Sequence, residues 1–509
     1  MKKRISFFNT LLLIGMALMI PGFLFTALNN LITPFDLYGR NRLLLSGMTV
    51  LCLMALLFAM RKADAHEAFF ARHEKKTLLF AAAFYFIVQM WMSQLLRFTP
   101  MTDAEQCHTA AKLLVDTGTF GNNERSYIYF TRYPFNLGLV YLLAAIFRFF
   151  GGLGISDRFT PVVLVSSLLF TLGLLCAARI ARRIGGARAQ TRLLILFSSC
   201  LPFLYCTTEM YTDAFALAFP TITIYLAMKL DEAQSKKEKL LFALLFALTT
   251  FIGAQIRFTC VVAAIACMIV LLLKKRGMAF ALAGVLLAAI FTLGGAIIDA
   301  QTHRHLRPED IEKNELPKLH HIVMGLPVQP DEGYGDYGYG RWLIFSTSFE
   351  DPQERKEALM EEFINRVYYL RYPNRLIHMM SRKLLSTFGN GTFVLQEIIA
   401  ADKPKANNAV KQVIFEKGKF HRPYCYLTTA LFTAQMLLSV AACWQAIKRR
   451  DTRGAAVFIA LLGIFLVLCM WETRARYFFS YQMLLLLADA LLDTKGAKRT
   501  KSNEYIMPV

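Results

Sequence analysis

The chain has 509 residues, 56% of them hydrophobic and 18% charged, with a mean hydropathy of +0.41. Soluble chains are nearer about 45–50% apolar and about 25% charged, so a soluble globular fold is excluded and a polytopic membrane protein expected. The net charge of +21 does not point to nucleic acid, because Lys and Arg gather in short loops between apolar runs, where positive charge marks the cytoplasmic side.

The chain opens Met1-Lys2-Lys3-Arg4 and then runs apolar from Phe7 to Leu28. That stretch is too long for a signal-peptide core and reads as an uncleaved first helix with its basic end in the cytoplasm. Further apolar runs follow at 43–60, 77–96, 134–150, 159–180, 192–206, 212–229, 239–256, 258–274, 278–299, 424–447, 455–471 and 476–493. Most approach the roughly 17–25 residues that span a hydrocarbon core. A backbone in hydrocarbon must satisfy its own hydrogen bonds, so these runs are expected to be helices.

Charge tests which runs cross. With the first three crossing, 61–76 is inside and 97–133 outside. If 134–150 also crossed, the five arginines of the loop Arg179–Arg192 would fall outside. Lys236, Lys237 and Lys239, then Lys274-Lys275-Arg276, Lys448-Arg449-Arg450 and the Lys-rich C-terminus would follow them. Placing 134–150 on the outer surface returns every cluster to the cytoplasm. The run also opens with Pro134, a favoured first helical position, and its length spans only about 25 Å as a helix. The expectation is an all-α polytopic membrane protein with about twelve crossings, both termini inside and 134–150 juxtamembrane.

The organisation read from this topology is an N-terminal transmembrane hairpin (1–76) and a transmembrane module with an exterior loop at 97–158 (77–299). An extracytoplasmic domain (300–423) and C-terminal transmembrane helices (424–509) follow. Within 300–423, residues 352–372 read as an amphipathic helix, and 333–340 is a flexible run alternating Gly with Tyr and Asp.

Residues able to carry chemistry cluster at the outer ends. In Met101-Thr102-Asp103-Ala104-Glu105, Thr102 and Glu105 fit a capping box for a helix at 103–116, and Asp103 suits the helix dipole. Asp103 also sits where an exterior helix meets the membrane surface, within reach of a lipid-borne substrate. Arg132 and Asn136 lie in an aromatic stretch with Tyr133 and suit phosphate or sugar hydroxyls. Glu209 and Asp213 are acids of an outer loop, a place where carboxylates are usually only solvated. Arg257 interrupts an apolar stretch, where an arginine either snorkels or serves function. Glu472, Arg474 and Arg476 form an external turn whose two arginines run against the positive-inside bias, and an anion such as a lipid phosphate would account for them. His303, His305, His320 and His321 match no zinc spacing, so no metal is expected. No Walker A loop, dinucleotide fingerprint or GxSxG elbow is present. The ten cysteines show no metal or disulfide framework.

In this order the features resemble the GT-C superfamily of membrane glycosyltransferases, closest to the bacterial protein-mannosyltransferase and aminoarabinose-transferase type. The resembling features are Asp103 and Glu105 after an early crossing, Tyr133-Pro134-Phe135-Asn136 opening a second exterior helix, the basic loop Arg179–Arg192, and Tyr211-Thr212-Asp213. His321-Ile322-Val323-Met324-Gly325-Leu326, the Gly-Tyr run and Glu472-Thr473-Arg474-Ala475-Arg476-Tyr477 are similar to a Gram-positive branch. The chain departs in its extra hairpin 7–60 and in Tyr133-Pro134, where the family often has Pro-Pro. The resemblance covers most of 77–493. It implies a glycosyltransferase that takes a sugar from a polyprenyl-phosphate donor, outside the cytoplasm, and passes it to an envelope glycan, lipid or protein acceptor. Asp103 would be the general base, with Glu105, Arg132, Tyr133, Asn136, Glu209, Asp213, Arg257, Glu472, Arg474 and Arg476 binding substrate and no cofactor. The rival readings are a twelve-helix secondary transporter or flippase, and a lipid-linked polysaccharide polymerase or ligase.

Overall fold

The computed structural model describes residues 7–32, 39, 41–329, 332–336, 340–395 and 408–493. The basic start and the Lys-rich end of the chain lie outside these residues, as do positions 337–339 of the Gly-Tyr run.

Every regular element among the described residues is helical, and nine helices are long and apolar enough to cross a membrane. They are Phe7–Ile32, Arg42–Ala65, Glu74–Leu95, Pro134–Gly152, Phe159–Ser198, Thr212–Glu232, Lys236–Ile256, Gly277–Thr302 and His421–Lys448, with Phe258–Leu273 and Ala455–Met470 shorter and also apolar. Gly277–Thr302 shows why composition alone identifies them. Leu293 and Ile297 stand exposed on it, and only 6% of its most apolar window is buried, an arrangement that suits lipid rather than water.

Phe159–Ser198 is two helices rather than one. Gly186 stands at φ 76°, ψ −167°, a conformation open to glycine, and the chain reverses there. Arg188 meets Glu67 at 2.7 Å on one side of the reversal, while Phe203 accepts from Gln89 Nε2 at 2.7 Å at the opposite end of the bundle.

Ion pairs sort the loops into two ends. One end collects Arg179–Glu74 (2.9 Å), Arg192–Asp64 (2.5 Å), Arg276–Asp231 (2.7 Å) and Arg449–Asp493 (3.0 Å). The clusters that charge bias assigns to a single side of the membrane thus lie together in space. The other end holds Arg97–Asp157 at 2.6 Å, between the last turns of Glu74–Leu95 and the start of Phe159–Ser198.

The helix Pro134–Gly152 touches that second end with both of its termini. Gly138 packs against the carbonyl of Gln255, at the close of Lys236–Ile256, so tightly that a side chain there would clash. Near its other terminus the Phe147 ring lies 5.5 Å beneath Arg158, and Arg148 donates to the carbonyl of Leu114 at 3.1 Å. A crossing helix would meet opposite ends with its two termini. This one lies across the end, with Leu139, Val140, Leu143 and Ala144 buried in the same cluster as Ala104, Cys107 and Ala111 of the neighbouring helix Thr102–Asp116.

Two local expectations are corrected. The capping box at Thr102 and Glu105 does not form, since Met101 takes the N-cap position and makes no side-chain bond. Thr102 sits at φ 48°, and Glu105 turns to Arg125 at 3.2 Å. The amphipathic helix is Pro352–Leu370, because the chain breaks before Pro373 and starts a new helix, Pro373–Phe388. That second helix packs into the bundle. Phe388 stacks among Phe432, Phe465 and Phe478 of the bundle.

Candidate functional site

Asp103 occupies the first turn of Thr102–Asp116, where the helix dipole favours an anion. The helix buries Ala104, Cys107, Ala110, Ala111 and Leu114, and this spacing leaves Asp103 on the edge turned toward the turn at 471–474. Arg476 Nη2 lies 3.9 Å from the Asp103 carboxylate, whose side chain is 43% exposed. Arg476 itself is drawn inward, with Nη1 3.4 Å from Asp213.

Asp213 is the hub. Its side chain is fully buried, and it is paired with Arg257 as well as Arg476. Arg257 also donates to Thr212 Oγ1 at 3.2 Å and lies 4.6 Å over the ring of Tyr477. Arg476 faces Tyr211 and Tyr477 at 5.3 and 5.4 Å. Arg257 and Arg476 thus find their counter-charge in Asp213, and a bound phosphate is not needed to explain their presence. Glu209, also fully buried, accepts from the Ala214 amide at 2.8 Å. Burial first, and then the negative charge of Asp213, push its pKa well above the ordinary value, which disfavours its ionised form beside Asp213.

A second carboxylate is fixed next to this group. Glu472 accepts from the Tyr477 hydroxyl at 2.6 Å and from His321 Nδ1 at 3.1 Å. The His321 ring stacks 5.2 Å from Trp471, and Phe135 meets it edge-on at 5.9 Å. Burial raises the Glu472 pKa, but the positive charge of His321 and the two hydrogen bonds outweigh it and bring the pKa down to about 2. A carboxyl whose folded pKa is depressed stabilises the fold above its ordinary pKa, and that stabilisation disappears as pH falls through the folded value. Stability tied to Glu472 should therefore be complete above about pH 4.5 and fade toward about pH 2. The expected readout is a change in Trp471 emission across that window, taken as the difference from a Trp471→Phe chain. Glu472→Gln should abolish the change, and an unaltered transition in that variant would remove Glu472 as its source.

The turn at 471–474 is anchored from below. Lys383 Nζ donates to the Trp471 carbonyl at 2.7 Å and also to the carbonyl of Gly325. Thr473 N donates to Gly335 at 2.7 Å, and the Thr387 and Thr473 hydroxyls meet at 2.5 Å. Gly325 must be glycine here, because a Cβ would fall 2.5 Å from the Trp471 carbonyl carbon. Burial lowers the Lys383 pKa to about 7, against the weaker pull of Cys469 and Glu472.

The structure therefore gathers Asp103, Glu209, Asp213, Arg257, Glu472 and Arg476. Asn136 joins through Tyr129, to whose hydroxyl it donates at 2.8 Å, and Tyr129 lies within hydrogen-bonding reach of Asp103. Glu105 is not in the group, being paired with Arg125. Arg132 offers its backbone carbonyl to Leu316 at 3.2 Å, which ties the segments 97–158 and 300–423 together. Tyr133 packs its ring 5.1 Å from Tyr129. Arg474 immediately precedes the short helix Ala475–Phe479 with extended backbone. His320 bonds Ser346 at 2.7 Å and His305 faces Thr119 at 3.2 Å. Among the described residues no group of three or more His, Cys, Asp or Glu is placed to hold a metal ion. Sequence reasoning had not singled out Tyr129, Tyr477 or Lys383 as site residues, although Tyr477 lies within the Glu472–Tyr477 motif.

A family model matches residues 5–496, nearly the whole chain. The chain belongs to the family described as conserved hypothetical integral membrane protein. It is accordingly a multi-pass membrane protein. No curated protein and no solved structure matches it.

Proposed function

We propose that the chain is a GT-C-type membrane glycosyltransferase that moves a sugar from a polyprenyl-phosphate donor to an extracytoplasmic acceptor in the cell envelope. The observation that carries this reading is Asp103, a half-exposed carboxylate beside the mostly covered Arg476 at the end of the bundle away from the basic loops. In this reading the acceptor hydroxyl gives its proton to Asp103 and its oxygen bonds to the anomeric carbon. The bond from that carbon to the phosphate oxygen breaks, and polyprenyl phosphate leaves with the electron pair. Arg474 and Arg476 meet the growing phosphate charge where water is scarce, with Arg257 acting from behind through Asp213. The reading also places about twelve crossings in the membrane, both termini in the cytoplasm and Pro134–Gly152 on the outer surface.

Cysteine accessibility in intact cells tests the orientation. Probes at 179–192 and 448–453 should react only after the membrane is opened, and probes at Asn122 and Asn314 should react from outside. Outside labelling within 179–192 would put Asp103 in the cytoplasm and end the proposal. Comparing envelope glycans by mass spectrometry with and without the protein tests the activity itself. An unchanged glycan profile would count against any transferase.

A further inference from the structure

The helix Pro352–Leu370 changes character along its length. Its first half exposes Gln353, Glu354, Lys356 and Glu357 to water. Beyond Glu362 no Asp or Glu occurs until after Phe388, and the exposed side chains become apolar and aromatic. Ile364 is 58% exposed, Tyr368 65% and Ile377 56%. These residues form the corner between this helix and Pro373–Phe388.

The corner's cations lie on rings rather than on carboxylates. Arg371 sits 3.4 Å over the ring of Tyr368 and 4.5 Å from that of Tyr372, and Arg375 lies 4.2 and 4.8 Å from Tyr369 and Tyr372. Neither guanidinium meets a carboxylate among the described residues. Tyrosine with arginine beside exposed aliphatic side chains, free of acid, is the composition of a membrane–water interface, and arginine's fork of donors fits a phosphate.

Position agrees with composition. The carbonyl of Ser381 accepts from Asn29 Nδ2 at 2.7 Å. Asn29 belongs to Phe7–Ile32, whose Phe25, Leu28 and Ile32 are exposed large apolar side chains on a helix apolar enough to span the membrane. The stretch from Pro373 to Ser381 covers about 12 Å of helix. The corner thus continues a lipid-facing surface at the end of the bundle that carries Asp103.

We propose that residues 364–378 seat in the bilayer interface at that end of the bundle, with Tyr368 and Ile377 among the headgroups and Arg371 and Arg375 on phospholipid phosphates. The contact would fix the height of the neighbouring exterior helices above the membrane. It holds whichever reaction the acid–arginine group performs.

The test places an environment-sensitive fluorophore at Tyr368→Cys or at Gln353→Cys, in nanodiscs of phosphatidylglycerol and phosphatidylethanolamine. The parent chain, whose ten cysteines are free, supplies the labelling blank. Emission at 368 should be shifted to the blue and quenched by brominated acyl chains, and emission at 353 should show neither effect. Adding Arg371→Glu with Arg375→Glu should move the 368 emission to the red. Water-like emission at 368 overturns the proposal. So does blue emission that brominated lipid fails to quench, since protein would then cover the corner. An unmoved spectrum after charge reversal overturns the arginine–phosphate contact.

Discussion

Asp103→Asn is expected to reduce transfer by about 10²–10⁴-fold, the usual contribution of a positioned general base, with abundance and membrane insertion near those of the parent chain. The amide keeps the shape of the carboxylate but loses its charge and its capacity to take a proton. Its structural cost should be small, because the Asp103 side chain is 43% exposed and its arginine contact is a long one at 3.9 Å. Arg476 keeps its other partner, Asp213, at 3.4 Å. The natural control is Glu105→Gln, two residues away on the same helix. Glu105 is similarly exposed and paired with Arg125, and exposed pairs of this kind contribute about 0–1 kcal/mol. The measurement is the envelope glycan profile of cells carrying each variant, beside immunoblots of their membranes. A parental profile with Asp103→Asn, at parental abundance, would end the role of Asp103 as base. Equal losses in both variants would point to damage of the helix Thr102–Asp116 rather than to chemistry.

Much of the fold was legible because a bilayer leaves the chain few choices. An apolar run of sufficient length must be helical in hydrocarbon, and the loop arginines declare a side. The run at 134–150 illustrates how far this goes. Length and apolarity alone admit it as a span, and only charge bookkeeping sets it across the end of the bundle, where Gln255 and Arg158 meet its two termini. Partner choice was much less legible. Arg257, Asp213 and Arg476 are far apart in sequence, and nothing local reveals that one buried carboxylate serves two arginines. Asp213 read as a solvated loop acid and is fully buried. Thr102 and Glu105 carried a local capping signal that lost to the turn at Met101 and to Arg125, because a cap depends on one residue's backbone angles. Lys383 drew no attention in the sequence, yet its ammonium is buried on two carbonyls. Its amphipathic helix gives no sequence signal separating it from the exposed Arg375.

The pairing of acids beneath the site leads to a prediction about coupling. Asp213→Asn leaves Arg257 and Arg476, 11% and 15% exposed, without their shared buried counter-ion, and removing one member of a buried pair typically costs about 3–5 kcal/mol. A reserve stands next to it. Burial, and after it the charge of Asp213, disfavours the ionised form of Glu209. Taking away the Asp213 charge removes the second of these causes, while Arg476 continues to favour the ionised form. Glu209 should then ionise and assume part of the counter-charge, so the single variant costs less than the geometry alone suggests. Glu209→Gln by itself should be mild, because it keeps a carbonyl oxygen to accept from the Ala214 amide. The double variant has no acid left at the hub and should lose clearly more stability than the two single losses added together. Residues in direct contact commonly show such interaction energies, of about 0.5–3 kcal/mol. The check is thermal unfolding of the parent, both single variants and the double in one detergent at neutral pH, repeated near pH 5. At the lower pH the reserve should be harder to call on, and Asp213→Asn should lose more of its stability than the parent does. Additive losses at both pH values would show that Glu209 supplies no charge to Arg257 or Arg476, and Asp213 would then hold the two arginines alone.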